Sequence, residues 1–129
     1  MLVDTNVVSE LMRRAPNARV SAWAATQERF DLSVISVEEV CYGLGLQKSA
    51  RLERWFNDFV ETYCEVLPVT LRIVRRCANL RAELARKGKP RTQADMLIAA
   101  TAAEHGLTLV TRNERDFVDC GLHVQNPFR

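Results

Sequence analysis

Short apolar runs alternate with longer helical patterns along the whole chain, and this alternation most constrains the fold. The strand-like runs occupy residues 1–4, 31–35, 65–69, 107–111 and 122–125. The segments between them place apolar residues at helical spacing, as Ile73, Cys77 and Leu84 do. Strands separated by helices favour parallel pairing, because a parallel connection needs a long crossover and a helix supplies it. We therefore expect an α/β domain with a mostly parallel sheet.

The expected helices are bounded by residues that cap or break helices. They cover residues 6–14, 17–27, a segment from Ser36 to about Gly43 or Gly45, a segment beginning at Ser49, the longest helix from Thr70 to Gly88, and residues 94–105. Serine and threonine are the expected N-caps because their side-chain oxygens accept hydrogen bonds from free N–H groups of the first turn. A helix is thus expected directly after each of the first three strands.

Length and composition fit one globular domain over residues 1–129. A hydrophobic fraction of 47% and a charged fraction of 26% exclude disordered and collagen-like classes. The longest nearly apolar stretch, residues 96–103, is too short to cross a bilayer, and no leader peptide is expected. We expect a cytoplasmic protein with no membrane contact.

Cysteine and histidine are too few and too scattered to suggest a zinc site or histidine-based catalysis. The four cysteines are Cys41, Cys64, Cys77 and Cys120, and the two histidines are His105 and His123. Zinc sites usually contain closely spaced pairs of ligands, and none is present in the sequence. The carboxylates are therefore the candidates for chemistry.

Four acidic residues lie close to the ends of the expected elements: Asp4, Glu39, Asp95 and Asp116. In an open parallel sheet the strand-to-helix turns emerge at one edge, so these side chains can be gathered there. Gathered carboxylates repel one another unless a counter-charge is present, and hard oxygen ligands select a hard cation such as Mg²⁺ or Mn²⁺. This pattern is typical of a site that cleaves phosphodiesters.

Each acid also has a structural interpretation. The patterns Ser36-x-x-Glu39, Thr92-x-x-Asp95 and Asn113-x-x-Asp116 match or approach the capping box. Asp4 is less easily explained by capping, because it ends a strand. Helix N-termini also attract anions, so a capping position and a metal-ligand position are compatible.

Polar and basic neighbours support the same hypothesis. Side chains able to steer a carboxylate or hold a water are Thr5, Asn6, Thr111 and Asn113, although both asparagines could simply be N-caps. Eight basic residues and one acid, Glu83, lie between positions 72 and 91. The candidate phosphate contacts are Arg86, Lys87, Lys89, Arg91 and Arg112. A solvated helix face is the alternative explanation of this charge.

Several ordered segments resemble the signature of PIN-domain proteins. They are Leu2-Val3-Asp4-Thr5-Asn6-Val7, Glu39-Val40-Cys41-Tyr42-Gly43, residues 95–102, and residues 111–117. Within that superfamily the chain resembles the VapC toxins of toxin–antitoxin pairs, and especially the FitB-like branch. The features specific to that branch are Val7-Val8-Ser9-Glu10-Leu11 and Asn126-Pro127-Phe128.

The resemblance implies a five-stranded parallel sheet of order 3-2-1-4-5 flanked by helices, usually in a homodimer. It also implies a Mg²⁺- or Mn²⁺-dependent endoribonuclease that inhibits translation by cutting RNA and is restrained by a VapB-type antitoxin. The catalytic and metal-binding set carried over is Asp4, Glu39, Asp95 and Asp116. Two assignments stay open. The adjacent Glu38 could replace Glu39 in the set, and Asn113 could replace Asp116 as the fourth contributor.

Two other functions remain to be tested. A haloacid-dehalogenase-like phosphatase also begins with an aspartate after a strand, but it needs a second aspartate where Asn6 stands. A PIN-fold protein could instead bind RNA or regulate without catalysis, because fold alone does not determine function. In the nuclease, Asp95 or Asp116 is the expected water-orienting base, since no histidine adjoins the motifs.

Overall fold

A computed structural model describes all 129 residues. The strands are β1 (Leu2–Val3), β2 (Phe30–Ser33), β3 (Cys64–Leu67), β4 (Leu109–Val110) and β5 (Val124–Gln125). The helices are α1 (Thr5–Leu11), α2 (Ala18–Ala25), α3 (Val34–Gln47), α4 (Ala50–Tyr63), α5 (Leu71–Arg86) and α6 (Gln93–His105), and a 3₁₀ turn covers Glu114–Phe117. None of these helices has the length and apolar character needed to span a bilayer.

The five strands form one parallel sheet of order β3-β2-β1-β4-β5, which confirms the expected fold. Leu2 of the central strand pairs with Asp31 on one side and with Leu109 on the other. Because all strands run in the same direction, their carboxyl ends share one edge of the sheet. That edge is where an α/β sheet of this kind binds ligands.

The sheet has a buried core on each face. Adjacent residues of β1 point to opposite faces, so Leu2 joins one hydrophobic cluster and Val3 joins the other, both at 0% exposure. Leu109 and Val110 of β4 divide between the clusters in the same way. A strand covered by helices on both faces needs apolar residues at every position, which explains the short uninterrupted apolar runs.

The predicted start of α3 was wrong. Ser33 is the N-cap, and its Oγ accepts a hydrogen bond from the Ile35 backbone N–H at 3.1 Å. Ser36 lies inside the helix and is 1% exposed. The strand β2 ends at Ser33 because its pairing with β3 ends there, at the Ser33–Leu67 pair, so the predicted strand 31–35 was placed too late. The predicted strand 65–69 likewise corresponds to Cys64–Leu67.

The predicted end of α3 was also wrong, because the helix continues through both glycines to Gln47. A glycine inside a helix costs only about 0.5–1 kcal/mol relative to alanine, which the buried Val40 and Leu44 of this helix can offset. The helix ends where Lys48 adopts a left-handed conformation, with φ of 51°.

The other predicted caps are confirmed. Ser49 accepts a hydrogen bond from the Leu52 N–H and Thr70 from the Ile73 N–H, each at 3.3 Å. The helix α6 ends at Gly106, whose φ of 63° is readily adopted by a residue without Cβ. These helices therefore begin or end near the positions that local chemistry favours.

Candidate active site

Asp4 lies at the carboxyl end of the central strand and is also the N-cap of α1. Its side chain is almost fully buried, and its backbone N–H donates to the Val110 carbonyl oxygen at 2.9 Å. Its Oδ1 accepts a hydrogen bond from the Thr5 backbone N–H at 2.8 Å. Capping therefore accounts for part of the environment of Asp4, because α1 begins immediately after the strand. Capping uses one carboxylate oxygen and leaves the other for different donors.

Thr111 and Asn6 hold the second oxygen of Asp4. The Thr111 hydroxyl donates to Asp4 Oδ2 at 2.7 Å, and Asn6 Nδ2 donates to the same oxygen at 3.1 Å. The Thr111 hydroxyl also accepts from the backbone N–H of Asn113 at 3.0 Å. Asn6 Oδ1 accepts from the Arg112 backbone N–H at 3.0 Å. These bonds connect the ends of β1 and β4 and fix the orientation of the Asp4 carboxylate.

Glu39 is the glutamate that reaches this edge of the sheet. The Thr5 hydroxyl donates to Glu39 Oε1 at 2.7 Å, so the first residue of α1 contacts both Asp4 and Glu39. Glu39 is half-buried, whereas Glu38 is exposed. The capping-box explanation of Glu39 does not hold, because Ser36 is inside α3 rather than at its start.

Asp95 and Asp116 come from two segments that are bonded to each other. The Asp95 backbone N–H donates to the hydroxyl of the N-cap Thr92 at 3.2 Å, as the sequence pattern predicted. The Asp116 backbone N–H donates to the Asn113 carbonyl oxygen at 3.1 Å. Arg91, just before α6, donates from Nε to the Asp116 carbonyl oxygen at 3.1 Å. This bond fastens the 3₁₀ turn to the segment that leads into α6.

Asp4 and Asp95 lie close enough to other carboxylates for the negative charge of those neighbours to raise their pKa. Burial raises the pKa of Asp4 above its usual value, and the negative charges of Asp95 and Glu39 add to the shift. Burial also raises the pKa of Asp95, and the charge of Asp116 adds to it. Hydrogen bonds from neighbouring groups only partly oppose these shifts. Arg91 is a cation that lowers the pKa of Asp95, but burial outweighs it.

The carboxylates do not form a complete coordination sphere by themselves. No group of three or more histidine, cysteine, aspartate or glutamate side chains is arranged to hold a metal ion directly. Zinc usually needs four close ligands, whereas Mg²⁺ commonly takes one or two carboxylates and keeps several waters. The arrangement suits a hydrated hard cation better than a tightly caged one.

The other residues predicted for the site are one polar and several basic side chains. Asn113 is exposed, and its side chain makes no capping hydrogen bond, so it contributes through its backbone. Arg86 and Arg112 are exposed; Lys87 pairs with Glu83 at 3.4 Å, and Lys89 pairs with Asp119 at 2.9 Å.

Sequence reasoning missed two features of this region. Asn126 Nδ2 donates to Glu114 Oε2 at 3.0 Å and supports the 3₁₀ turn; its only signal was the motif Asn126-Pro127-Phe128. A recess beside Glu39 is lined by α1, α3 and α4. No local pattern predicts this recess, because its walls come from three separate helices.

Comparisons with known proteins agree with this fold. The PIN domain profile matches residues 1–121. The VapC ribonuclease Y4jK of Sinorhizobium fredii is 35% identical to this chain, over 99% of this chain and 97% of that protein. The toxin FitB of Neisseria gonorrhoeae is 35% identical, over 99% and 98% of the two chains. The crystal structure of FitAcB from Neisseria gonorrhoeae superposes with a TM-score of 0.88 at 32% identity, and covers 99% of this chain and 98% of that chain.

The chain therefore belongs to the PIN-domain family and, within it, to the VapC branch that includes FitB. This membership argues against the haloacid-dehalogenase-like alternative, as does the amide at Asn6, where that mechanism needs a carboxylate.

Proposed function

We propose that this chain is the toxin of a VapBC-type toxin–antitoxin pair, a metal-dependent endoribonuclease that inhibits translation by cutting RNA in the cytoplasm. Its catalytic residues are Asp4, Glu39, Asp95 and Asp116. The observation that carries the proposal is the convergence of these acids at one edge of the sheet, where burial and mutual repulsion raise the pKa of Asp4 and Asp95.

The donor chemistry fits Mg²⁺ or Mn²⁺. All four side chains offer hard carboxylate oxygens, which favour a hard divalent cation. Asp4 and Asp95 would hold the ion, with Glu39 and Asp116 completing the site through water. When bound, the ion would lower the pKa of a water and neutralise charge on the departing oxygen.

The acidic residues have different roles in binding the ion and orienting the water. Asp4 is fixed by three donors, so it suits a rigid ligand position rather than proton transfer. Glu39 is held by the Thr5 hydroxyl. Asp116 lies on the 3₁₀ turn next to Asp95, and either of the two can orient the attacking water as a general base.

The RNA backbone is expected to contact the exposed basic side chains near α6. Arg86 and Arg112 form none of the chain's ion pairs. Lys87 and Lys89 are each paired with an acid and must exchange it for phosphate. Arg91 binds main-chain oxygens, so its contribution combines charge with positioning of the loop.

The partners are a second copy of the chain and a VapB-type antitoxin. Toxin–antitoxin complexes are among the structures of the same fold. Large apolar side chains are exposed on α3, where Tyr42 is 65% and Leu46 is 70% exposed, and on α5, where Leu71 is 64% exposed. Apolar surface of this kind favours burial in an interface, and we assign it to the homodimer.

The decisive experiment is cleavage of total RNA by the purified chain with Mg²⁺, with Mn²⁺ and with EDTA. Asp4→Asn and Asp95→Asn should abolish cleavage while the protein stays folded, because each removes a charged ligand and keeps the side-chain shape. Asp58→Asn, an exposed aspartate on α4, is the matched control and should cleave like the wild type.

Full metal-dependent cleavage by both site variants would contradict the proposed catalytic centre. Binding of RNA without cleavage by the wild type would instead favour a regulatory PIN-fold protein. Circular dichroism of every variant separates loss of function from loss of fold.

A further inference from the structure

A recess of about 240 Å³ opens beside the candidate active site, between α1, α3 and α4. Its apolar floor is formed by Met12, Val40, Leu44 and Leu52. Glu39 belongs both to this recess and to the acidic cluster, so the two are directly continuous. The volume is far above the roughly 30 Å³ share of one water and below the roughly 300 Å³ of the smallest drug-sized ligand pockets. It suits one flat ring rather than a whole nucleotide.

Gly43 lines this recess one helical turn after Glu39. It lies inside a helix, where glycine is unfavourable, and it does not have the positive φ that would require glycine. Apart from its two chain neighbours and the nearby backbone of its own helix, a Cβ placed on Gly43 would meet no atom within 4 Å. Neither conformation nor internal packing therefore explains the missing side chain. The backbone of Gly43 is open to a ligand that approaches α3 from outside, at a point that lines the recess.

Arg51 and Gln47 supply unused hydrogen-bonding groups at the wall of the recess. Arg51 is half-buried, yet none of the chain's ion pairs involves it. Its guanidinium offers several donors and no acceptor. Among the nucleobases, guanine presents two adjacent acceptors, O6 and N7, that match this fork.

We propose that this recess binds one unpaired nucleobase of the RNA strand next to the scissile phosphate, with a preference for guanine set by Arg51. The inference rests on the proposed ribonuclease function and deepens it. The base lies over the apolar floor against the backbone of Gly43, while its sugar and phosphate stay outside at Glu39. Single-stranded RNA is commonly recognised in this way, through unstacked bases held by flat contacts and edge hydrogen bonds. Arg51, Gln47 and Gly43 thus determine specificity and take no part in the bond-breaking step.

The test uses purified full-length chain and a pool of random-sequence single-stranded RNA, with the cut ends sequenced. The wild type should enrich guanine at one fixed position beside the cut. Arg51→Gln should lower that enrichment by at least about fivefold, as expected for loss of a bidentate contact. Its control is Arg54→Gln, one helical turn along α4, exposed and outside the recess.

A second pair of variants tests the role of Gly43. Gly43→Leu should slow cleavage by at least about tenfold, because the base is displaced from its productive position. Gly45→Leu lies on the same helix, also meets no atom within 4 Å of its Cβ, and is outside the recess. Both substitutions should raise the melting temperature, because leucine is the better helix former. Only the Gly43 variant should lose cleavage rate, with the oligomeric mass of both unchanged.

The outcomes are distinguishable. Absence of any metal-dependent cleavage by the wild type would overturn the proposed function, and this inference with it. Normal cleavage with identical base preference and rate in Arg51→Gln and Gly43→Leu would overturn only the base-binding recess. Loss of antitoxin affinity in these variants with an unchanged cleavage pattern would also overturn it, because the recess would then hold a peptide side chain.

Discussion

Replacing Thr111 with valine removes one buried hydroxyl, which accepts hydrogen bonds from the Asn113 backbone N–H at 3.0 Å and from Asn6 Nδ2 at 3.3 Å. That hydroxyl donates to Asp4 Oδ2 at 2.7 Å, and Thr111 is completely buried. The methyl group that replaces it cannot stabilise the negative charge of Asp4. Without divalent ions, the variant should therefore be less stable than the wild type whenever Asp4 is ionised.

The size of the effect follows from the charge of the acceptor. A hydrogen bond to a charged group contributes about 1.5–3 kcal/mol. We expect a loss of about 2 kcal/mol at neutral pH, or roughly 8 °C in melting temperature for a domain of this size. Burial raises the pKa of Asp4 above 3.8, and the Thr111 hydroxyl opposes that shift. The bond therefore stabilises the wild type most above the pKa of Asp4, and the difference should shrink as pH falls through that value.

The assay is urea unfolding in EDTA at several pH values from about 4, near the ordinary pKa of an aspartate, up to about 7.5. Thr101→Val is the matched control, because Thr101 is also fully buried but donates to the neutral Leu97 carbonyl oxygen at 2.7 Å. Its free energy loss should not depend on pH. Equal and pH-independent losses in both variants would refute the reasoning that Thr111 stabilises a buried charge.

Three further results are expected. In EDTA at pH 7, Asp95→Asn should raise the midpoint of urea unfolding. Burial raises the pKa of Asp95, so its ionised form destabilises the fold. The gain in stability should therefore vanish near pH 4, where Asp95 is protonated. Saturating Mg²⁺ should raise the melting temperature of the wild type. At a hundredfold excess over Kd the free energy of unfolding should rise by about 2.7 kcal/mol, whereas Asp4→Asn should be nearly unchanged. Ser33→Ala should cost about 1 kcal/mol as a lost N-cap. Ser36→Ala should be neutral or stabilising, since the buried Ser36 hydroxyl has no hydrogen-bond partner. A larger loss of stability in Ser36→Ala than in Ser33→Ala would place the start of α3 at Ser36.

The alternation of strands and helices was predictable from the sequence, because it depends on periodicity that each segment carries by itself. The start of α3 was not. Ser36 with Glu39 three residues later matches a capping signal, yet Ser33 is the cap because β2 stops pairing with β3 there. Long-range pairing thus outweighed a local signal.

The sequence proposes a set of site residues, but it does not predict the contacts between them. Asp4 and Thr111 are 107 positions apart, and no local pattern reports a hydrogen bond between them. The choice between Glu38 and Glu39 depends on the rotation of α3, which follows from its true start. The resemblance to PIN domains favoured Glu39, and the hydrogen bond from Thr5 gives the physical reason.

The pairing of β1 with β4, and of β4 with β5, affects when the acidic centre can assemble during synthesis of the chain. Asp4 is bonded to Val110, and the Thr111 backbone N–H donates to the Gln125 carbonyl oxygen at 2.9 Å. Asp4 and its hydrogen-bond partner Thr111 are 107 positions apart, so a ribosome synthesises the partner long after Asp4. The acidic centre therefore cannot assemble until the segment that carries Thr111 has been synthesised.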